Sequence, residues 1–133
     1  MMWIECRPGE AIPKKFFYKG YQTDKDEWGR TPLMMWIEHR PYDGIPEELF
    51  YDGYKTDRDN DGYTPLLYWI EYRRGEVIPK ELFYDGYKTD RDNDDYTPLM
   101  YWIEKRPGEP IPNCLFYDGY QTDKDRQERI PLM

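Results

Sequence analysis

The tripeptide Trp-Ile-Glu begins at Trp3, Trp36, Trp69 and Trp102, so the chain repeats itself every 33 residues. A fixed period of this length limits what the polypeptide can fold into. Each unit is one small supersecondary element that cannot bury its apolar face alone, so neighbours must stack to make a continuous core. The units run 1–33, 34–66, 67–99 and 100–132, with Met133 opening a fifth. Trp36, Ile37, Glu38, Arg40, Ile45, Pro46, Phe50, Tyr51, Gly53, Tyr54, Thr56, Asp57, Asp59, Pro65 and Leu66 mark the columns that are the same in all four units. No linker or composition shift interrupts the array. Residues 1–133 therefore read as a single domain, cut at both ends in mid-helix.

Within a unit, Thr64-Pro65-Leu66 is a helix start, because Thr caps well and Pro fits the first helical position. The helix stops near Arg73-Arg74-Gly75, and in other units near Arg-Pro, as at Arg40-Pro41. These signals predict helices over 31–40, 64–73 and 97–106. Leu66, Trp69 and Ile70 stand at i, i+3 and i+4 and are expected to form one buried face. Ile78-Pro79 predicts a second helix, with counterparts over 46–52, 79–85 and 112–118. Gly86 would end it in the left-handed conformation. The rest of the unit, Asp-rich and with Asp61-Gly62 at a tight turn, reads as a projecting loop. Helices this short are marginal in isolation. Trp36 and Trp69, with Phe50 and Phe83, are expected between units, and Tyr51 and Tyr54 half-buried with their hydroxyls in water. The fold expected is an all-α helix-turn-helix repeat solenoid of about four units with projecting loops.

These residues resemble the ankyrin repeat family. The period is 33, Asp59-Asn60-Asp61-Gly62-Tyr63-Thr64-Pro65-Leu66 is similar to the ankyrin opening D-x-x-G-x-T-P-L, and Leu82-Phe83 with Gly86 resembles the end of the second helix. The resemblance covers the whole chain. More narrowly, the units resemble the divergent ankyrin-like repeats expanded in trichomonad protists. Met34, Leu67, Met100 and Met133 stand where ankyrin units carry His, and Trp-Ile replaces an Ala-Ala pair. That replacement implies wider helix spacing with Trp filling the gap. In the fourth unit Glu128 and Ile130 replace the turn Gly and the capping Thr, which implies a poorly formed final turn.

Lys and Arg number 19 against 27 Asp and Glu, a formal net charge of −8. Nucleic-acid binding needs clustered Lys and Arg, and so does an electrostatic membrane anchor, so both partners are excluded. No apolar run approaches the roughly 20 residues that span a bilayer. A mean hydropathy of −1.07 suits a disordered chain. Five Trp, 14 Tyr and five Phe at regular intervals do not. Cys6 and Cys114 have no metal-type spacing and read as reduced thiols, and the chain as cytoplasmic. His39 is the only histidine and has no nucleophile repeating with it. The chain therefore reads as a non-enzyme that needs no cofactor.

Asp57-x-Asp59-x-Asp61-Gly62 matches the first half of a calcium loop, but Tyr68 stands where the bidentate Glu belongs. Asp57, Asp59 and Asp61 are thus only weak metal candidates. The columns that vary between units are free of the scaffold's demands. They are Trp28 and Arg30; Asn60, Asp61 and Tyr63; Asn93, Asp94 and Tyr96 in the loops; and His39, Tyr72 and Lys105 on the first helix. The ankyrin resemblance places them together on a concave partner-binding face. Three functions stay open at this point. The first is a scaffold for protein–protein interaction with an unidentified protein. The second is a metal- or carbohydrate-binding module using the Asp or Tyr rows. The third is a self-stacking array segment. Trp3, Ile4, Phe116 and Leu132 are expected to be partly uncovered at the ends, which implies head-to-tail self-association.

Overall fold

A computed structural model describes residues 20–40 and 43–120 of the chain. Helix α1 spans Pro32–His39, α2 Pro65–Tyr72 and α3 Pro98–Lys105, and no strand occurs among the described residues. Each helix is capped as its sequence requires. Thr31, Thr64 and Thr97 are extended, and their hydroxyls accept hydrogen bonds from the Met34, Leu67 and Met100 amides at 3.4, 3.5 and 3.4 Å. The backbone leaves the helix at Arg40, Arg73 and Arg106.

Burial goes further than the expected apolar stripe. All of Pro65 to Ile70 is buried, so α2 has no exposed face over its first six residues. Pro32 to Ile37 of α1 are buried in the same way, and α2 packs against both α1 and α3. Trp36, Trp69 and Trp102 are each 5% exposed. Phe50 and Phe83 sit half-buried against the same core.

The second helix of the unit does not form. A single 3₁₀ turn stands in its place, at Glu47–Leu49, Lys80–Leu82 and Asn113–Leu115. Pro46, Pro79 and Pro112 precede it with ψ of 139°, 141° and 138°, and no side chain caps it. Without the cap that starts α1 to α3, only Leu49, Leu82 and Leu115 are driven inside, each at 0% exposure. Gly86 does take the left-handed conformation (φ 84°), but within the following turn rather than at a helix end.

Tyrosines fix that outer region. Their hydroxyls are bonded to protein, not left to water as expected. Tyr51 donates to Asp57 Oδ2 at 2.6 Å and Tyr84 to Asp90 Oδ2 at 2.5 Å, both within a unit. Tyr54 donates to the Glu81 carbonyl at 2.6 Å and Tyr87 to the Cys114 carbonyl at 2.7 Å, both across to the next unit. Tyr21 bonds the Glu48 carbonyl in the same way.

A buried guanidinium joins successive units. Arg73 and Arg106 are 0% and 1% exposed. Arg73 Nε donates to the Ile37 carbonyl at 2.8 Å and its Nη1 to the Asp43 carbonyl at 2.9 Å. Arg106 repeats this on Ile70 (2.9 Å) and Glu76 (3.0 Å), and its Nη2 reaches the carbonyls of Trp69 (2.9 Å) and Arg73 (2.6 Å). Each arginine thus satisfies carbonyls at the C-terminal end of the preceding helix, where the helix has no donors of its own. Its planar face lies over the tryptophan of its own helix, 4.5 Å for Arg73 on Trp69 and 4.1 Å for Arg106 on Trp102. Burial lowers both guanidinium groups from their ordinary range, opposed by the carboxylates of Glu76 and Glu109. The tryptophan of each Trp-Ile pair on α2 and α3 is therefore one half of a stacked Arg–Trp pair.

Carboxylates tie the loops. Lys25 bonds Asp57 at 2.8 Å, and Arg58 pairs with Asp90. Burial pushes Asp57 and Asp90 upward, but the bonds from Lys25 and Tyr51, and from Arg58 and Tyr84, prevail and hold both below the ordinary 3.8. Asp92 goes the other way, because its burial outweighs the bond from Tyr101. The signs oppose each other. Asp57 and Asp90 stabilise the fold above pH ~4, and that contribution disappears as pH falls through their folded values. Asp92 is relieved by protonation at or above its ordinary value. The urea midpoint should therefore hold or rise slightly between pH 6 and 4, as Asp92 is relieved, and drop from pH ~4 to 2, as Asp57 and Asp90 are protonated. Asp57→Asn should flatten that drop, and an unchanged pH profile in this variant would remove Asp57 from the account.

Candidate functional site

The projecting loops are tight, hydrogen-bonded fingers. In the second, the Asp59 amide bonds the Tyr63 carbonyl (3.0 Å), and Asp59 Oδ1 accepts from the amides of Asp61 and Tyr63, both at 2.9 Å. Asp26 and Asp92 hold the neighbouring fingers in the same way. Asparagines stack the fingers. The Asn60 amide donates to the Trp28 carbonyl (2.9 Å) and its Nδ2 to the Glu27 carbonyl (3.0 Å). Asn93 does the same to Asp61 and Asn60, at 3.2 and 3.0 Å. Gly62 is required on two counts. Its φ is 86°, and a Cβ there would lie 2.6 Å from Asn93 Oδ1. The two positions change together, for Asp95 replaces the Gly (φ 63°) in the unit before the one in which Arg126 replaces the Asn.

A groove of about 350 Å³ lies between the fingers and the helices, lined by Trp28, Arg30, Glu38, Asp59, Asp61, Tyr63, Tyr68, Glu71 and Tyr72. Five of the variable-column residues thus come together: Trp28, Arg30, Asp61, Tyr63 and Tyr72. Trp28 is 57% exposed and Tyr72 40%. Tyr68 and Tyr72 stack (centroids 5.8 Å apart, 24° between planes), and Tyr63 meets Tyr68 edge-on at 5.9 Å. Burial, with Glu71 and other carboxylates nearby, pushes the Tyr63 and Tyr72 hydroxyls up to about 12, so both are neutral donors at neutral pH.

The other candidates divide differently. Asn60 and Asn93 are exposed, but their side-chain amides bond the preceding finger. Asp94 is exposed at the tip of the third finger. Tyr96 is buried (9%) with its ring 5.0 Å from Tyr101, so it is a packing residue rather than the contact expected of it. The reason is local: Tyr101 reaches under the finger to Asp92, and Tyr96 closes over it. His39 lies against Glu38 (3.0 Å), and Lys105 against Glu71 (3.4 Å). The weak metal candidates do not converge. Asp57 faces Lys25 and Tyr51. Asp59 Oδ2 accepts from Tyr68 at 2.5 Å, the very residue that stands where a calcium loop needs its glutamate. No group of three His, Cys, Asp or Glu side chains among the described residues is placed to hold a metal ion. Of the end residues, Trp3, Ile4 and Leu132 lie outside the described residues, as do Glu128 and Ile130. Phe116 is half-buried on Tyr120, 5.0 Å between centroids.

Glu38 and Glu71 were the residues the variable columns missed. They belong to an unvarying column and so read as scaffold. The available signal was polarity: this Glu is the one charged residue adjoining Trp-Ile in every unit. Glu38 is bonded by Arg30 at 3.2 and 3.3 Å. Glu71 Oε2 is enclosed and has no hydrogen-bond partner. Burial raises the Glu71 carboxyl above its ordinary 4.5. Lys105 opposes this, and Glu38 and Glu104 add to it.

The groove offers carboxylates, phenols and one guanidinium, a set suited to holding cations and amphipathic side chains. Among the described residues no helix is long and apolar enough to cross a membrane. Comparison with protein-family models and with curated proteins gives no match to this chain.

Proposed function

We propose that this chain is a non-enzymatic, cytoplasmic protein-interaction scaffold, a solenoid of four ankyrin-like units that presents the finger-and-helix groove to a partner protein. One observation carries the reading. Among the described residues, most side chains of the kept columns are engaged in internal bonds and packing, whereas five varying ones gather at a single groove, beside the kept Glu38, Asp59 and Glu71, with two large aromatic rings exposed. Exposed Trp and Tyr beside polar groups are the residue types that dominate interface energetics. Loops held by a rigid scaffold are the usual carriers of such contacts.

The test is affinity capture with the intact chain and with Tyr72→Ala, both shown folded by circular dichroism. A specific partner held by the wild type should be lost, or weakened at least roughly tenfold, by Tyr72→Ala, as interface anchors lose ~2 kcal/mol or more on truncation. A partner bound equally by both proteins would place the binding surface elsewhere.

A further inference from the structure

The first finger already carries a cation in the groove. Arg30 Nε bonds Asp26 Oδ2 at 2.8 Å, its Nη1 bonds both oxygens of Glu38, and its face lies 4.8 Å from the Trp28 ring. Carboxylate edge and aromatic face are both filled by one guanidinium.

One unit later the acceptor remains, the arginine is replaced by Tyr63, and the lysine of the next helix, Lys105, reaches only one carboxylate oxygen. Tyr63 stands 33 residues after Arg30, and Glu71 33 after Glu38. The Asp59 oxygen that matches Arg30's partner on Asp26 is occupied by the Tyr68 hydroxyl. Glu71 keeps one oxygen near Lys105 at 3.4 Å, while the other is enclosed and bonded to nothing. Beside it lie the Tyr63 ring and the exposed ring of Tyr72, and Asp61 stands at the rim. A shielded carboxylate oxygen without a donor is costly, and the same site 33 residues earlier shows the group that satisfies it.

We propose that Glu71, with Tyr63, Tyr72 and Asp61, forms a subsite for an arginine side chain supplied by a basic segment of a partner protein. This rests on the scaffold reading and names the partner's chemistry. A guanidinium suits the site better than an ammonium, because it is planar, weakly hydrated, stacks on aromatic rings and bonds carboxylates with two parallel donors. The chain's −8 charge draws a basic segment toward the groove from a distance.

The probes are acetylated, amidated tetra-arginine, tetra-lysine and tetra-glutamate peptides, titrated into the intact chain and followed by tryptophan fluorescence and amide NMR shifts. Tetra-arginine should bind saturably, with shifts centred on Trp28, Tyr63 and Tyr72. It should bind several-fold tighter than tetra-lysine, and tetra-glutamate should not bind. Glu71→Gln should weaken tetra-arginine roughly tenfold, the scale of a hydrogen bond to a charged group. Glu104→Gln, which removes the same charge from an exposed site one unit on, should leave it unchanged. Glutamine matches glutamate in size and gives up only the 3.4 Å pairing with Lys105, so Glu71→Gln should stay folded, which circular dichroism checks. No saturable binding of tetra-arginine would overturn the proposal. So would equal affinity for tetra-lysine, or equal losses in Glu71→Gln and Glu104→Gln, since either result makes the effect one of bulk charge. A captured partner that is lost with Tyr72→Ala but held fully by Glu71→Gln would sink the arginine subsite and leave the scaffold standing.

Discussion

Arg73→Ala should destabilise the chain by about 3–5 kcal/mol, among the largest effects of any single substitution. The side chain is wholly buried, and its donors serve the carbonyls of Ile37 and Asp43 in the preceding unit. Truncation leaves those acceptors enclosed without donors, strips Glu76 of a partner at 3.1 Å and uncovers one face of Trp69. Arg73→Lys should recover only a small part of the loss, because an ammonium cannot reach two carbonyls on diverging lines while lying flat on an indole. Urea denaturation of the intact chain measures both. A loss under about 1 kcal/mol for Arg73→Ala would mean that the guanidinium is held without contributing net stability, as buried ionic groups sometimes are.

Trp69→Ala should cost a similar ~3–5 kcal/mol, the range of large aromatic truncations in a packed core. The indole is 5% exposed and lies on the central helix. Trp69→Phe should be much milder, because the Trp69 Nε1 has no acceptor to lose, whereas Trp36 donates to the Gly44 carbonyl at 3.1 Å. Trp69 and Arg73 form one stacked pair. The double alanine variant should therefore lose clearly less than the sum of the two single losses. Additive losses would show that the stack adds nothing beyond burial.

How much of this was legible in the sequence depended on how local each signal is. Thr-Pro-Leu specifies a helix start by short-range chemistry, and α1 to α3 begin where it stands. The Asp-x-x-Gly finger is equally local, with its aspartate bonding amides two and four residues on. The missing second helix was harder to read. Pro79 suits a helix start and an extended strand equally well, and what decided was the absence of a capping side chain together with tyrosines bonded to the next unit. The repeated arginine was seen only as a helix stop. Its carbonyl partners lie 30 to 37 residues back, and periodicity shows that a column is kept without showing what it touches. Tyr96 was misjudged for a related reason. Tyr63 and Tyr96 occupy the same column, yet one is half-open and the other closed over by its surroundings.

The seams between units are stitched from both sides, and this sets how the chain should come apart. Arginine and asparagine reach back from the later unit, while Lys25, Arg58, Tyr54 and Tyr87 reach forward from the earlier one. The helices within each unit are only eight residues long and have little tendency to persist alone. Nearly all the free energy therefore resides in nearest-neighbour coupling rather than in the units themselves. In a one-dimensional lattice of that kind a boundary between ordered and melted segments is expensive. Amide exchange should accordingly show neighbouring units opening together as one block, with protection rising toward α2.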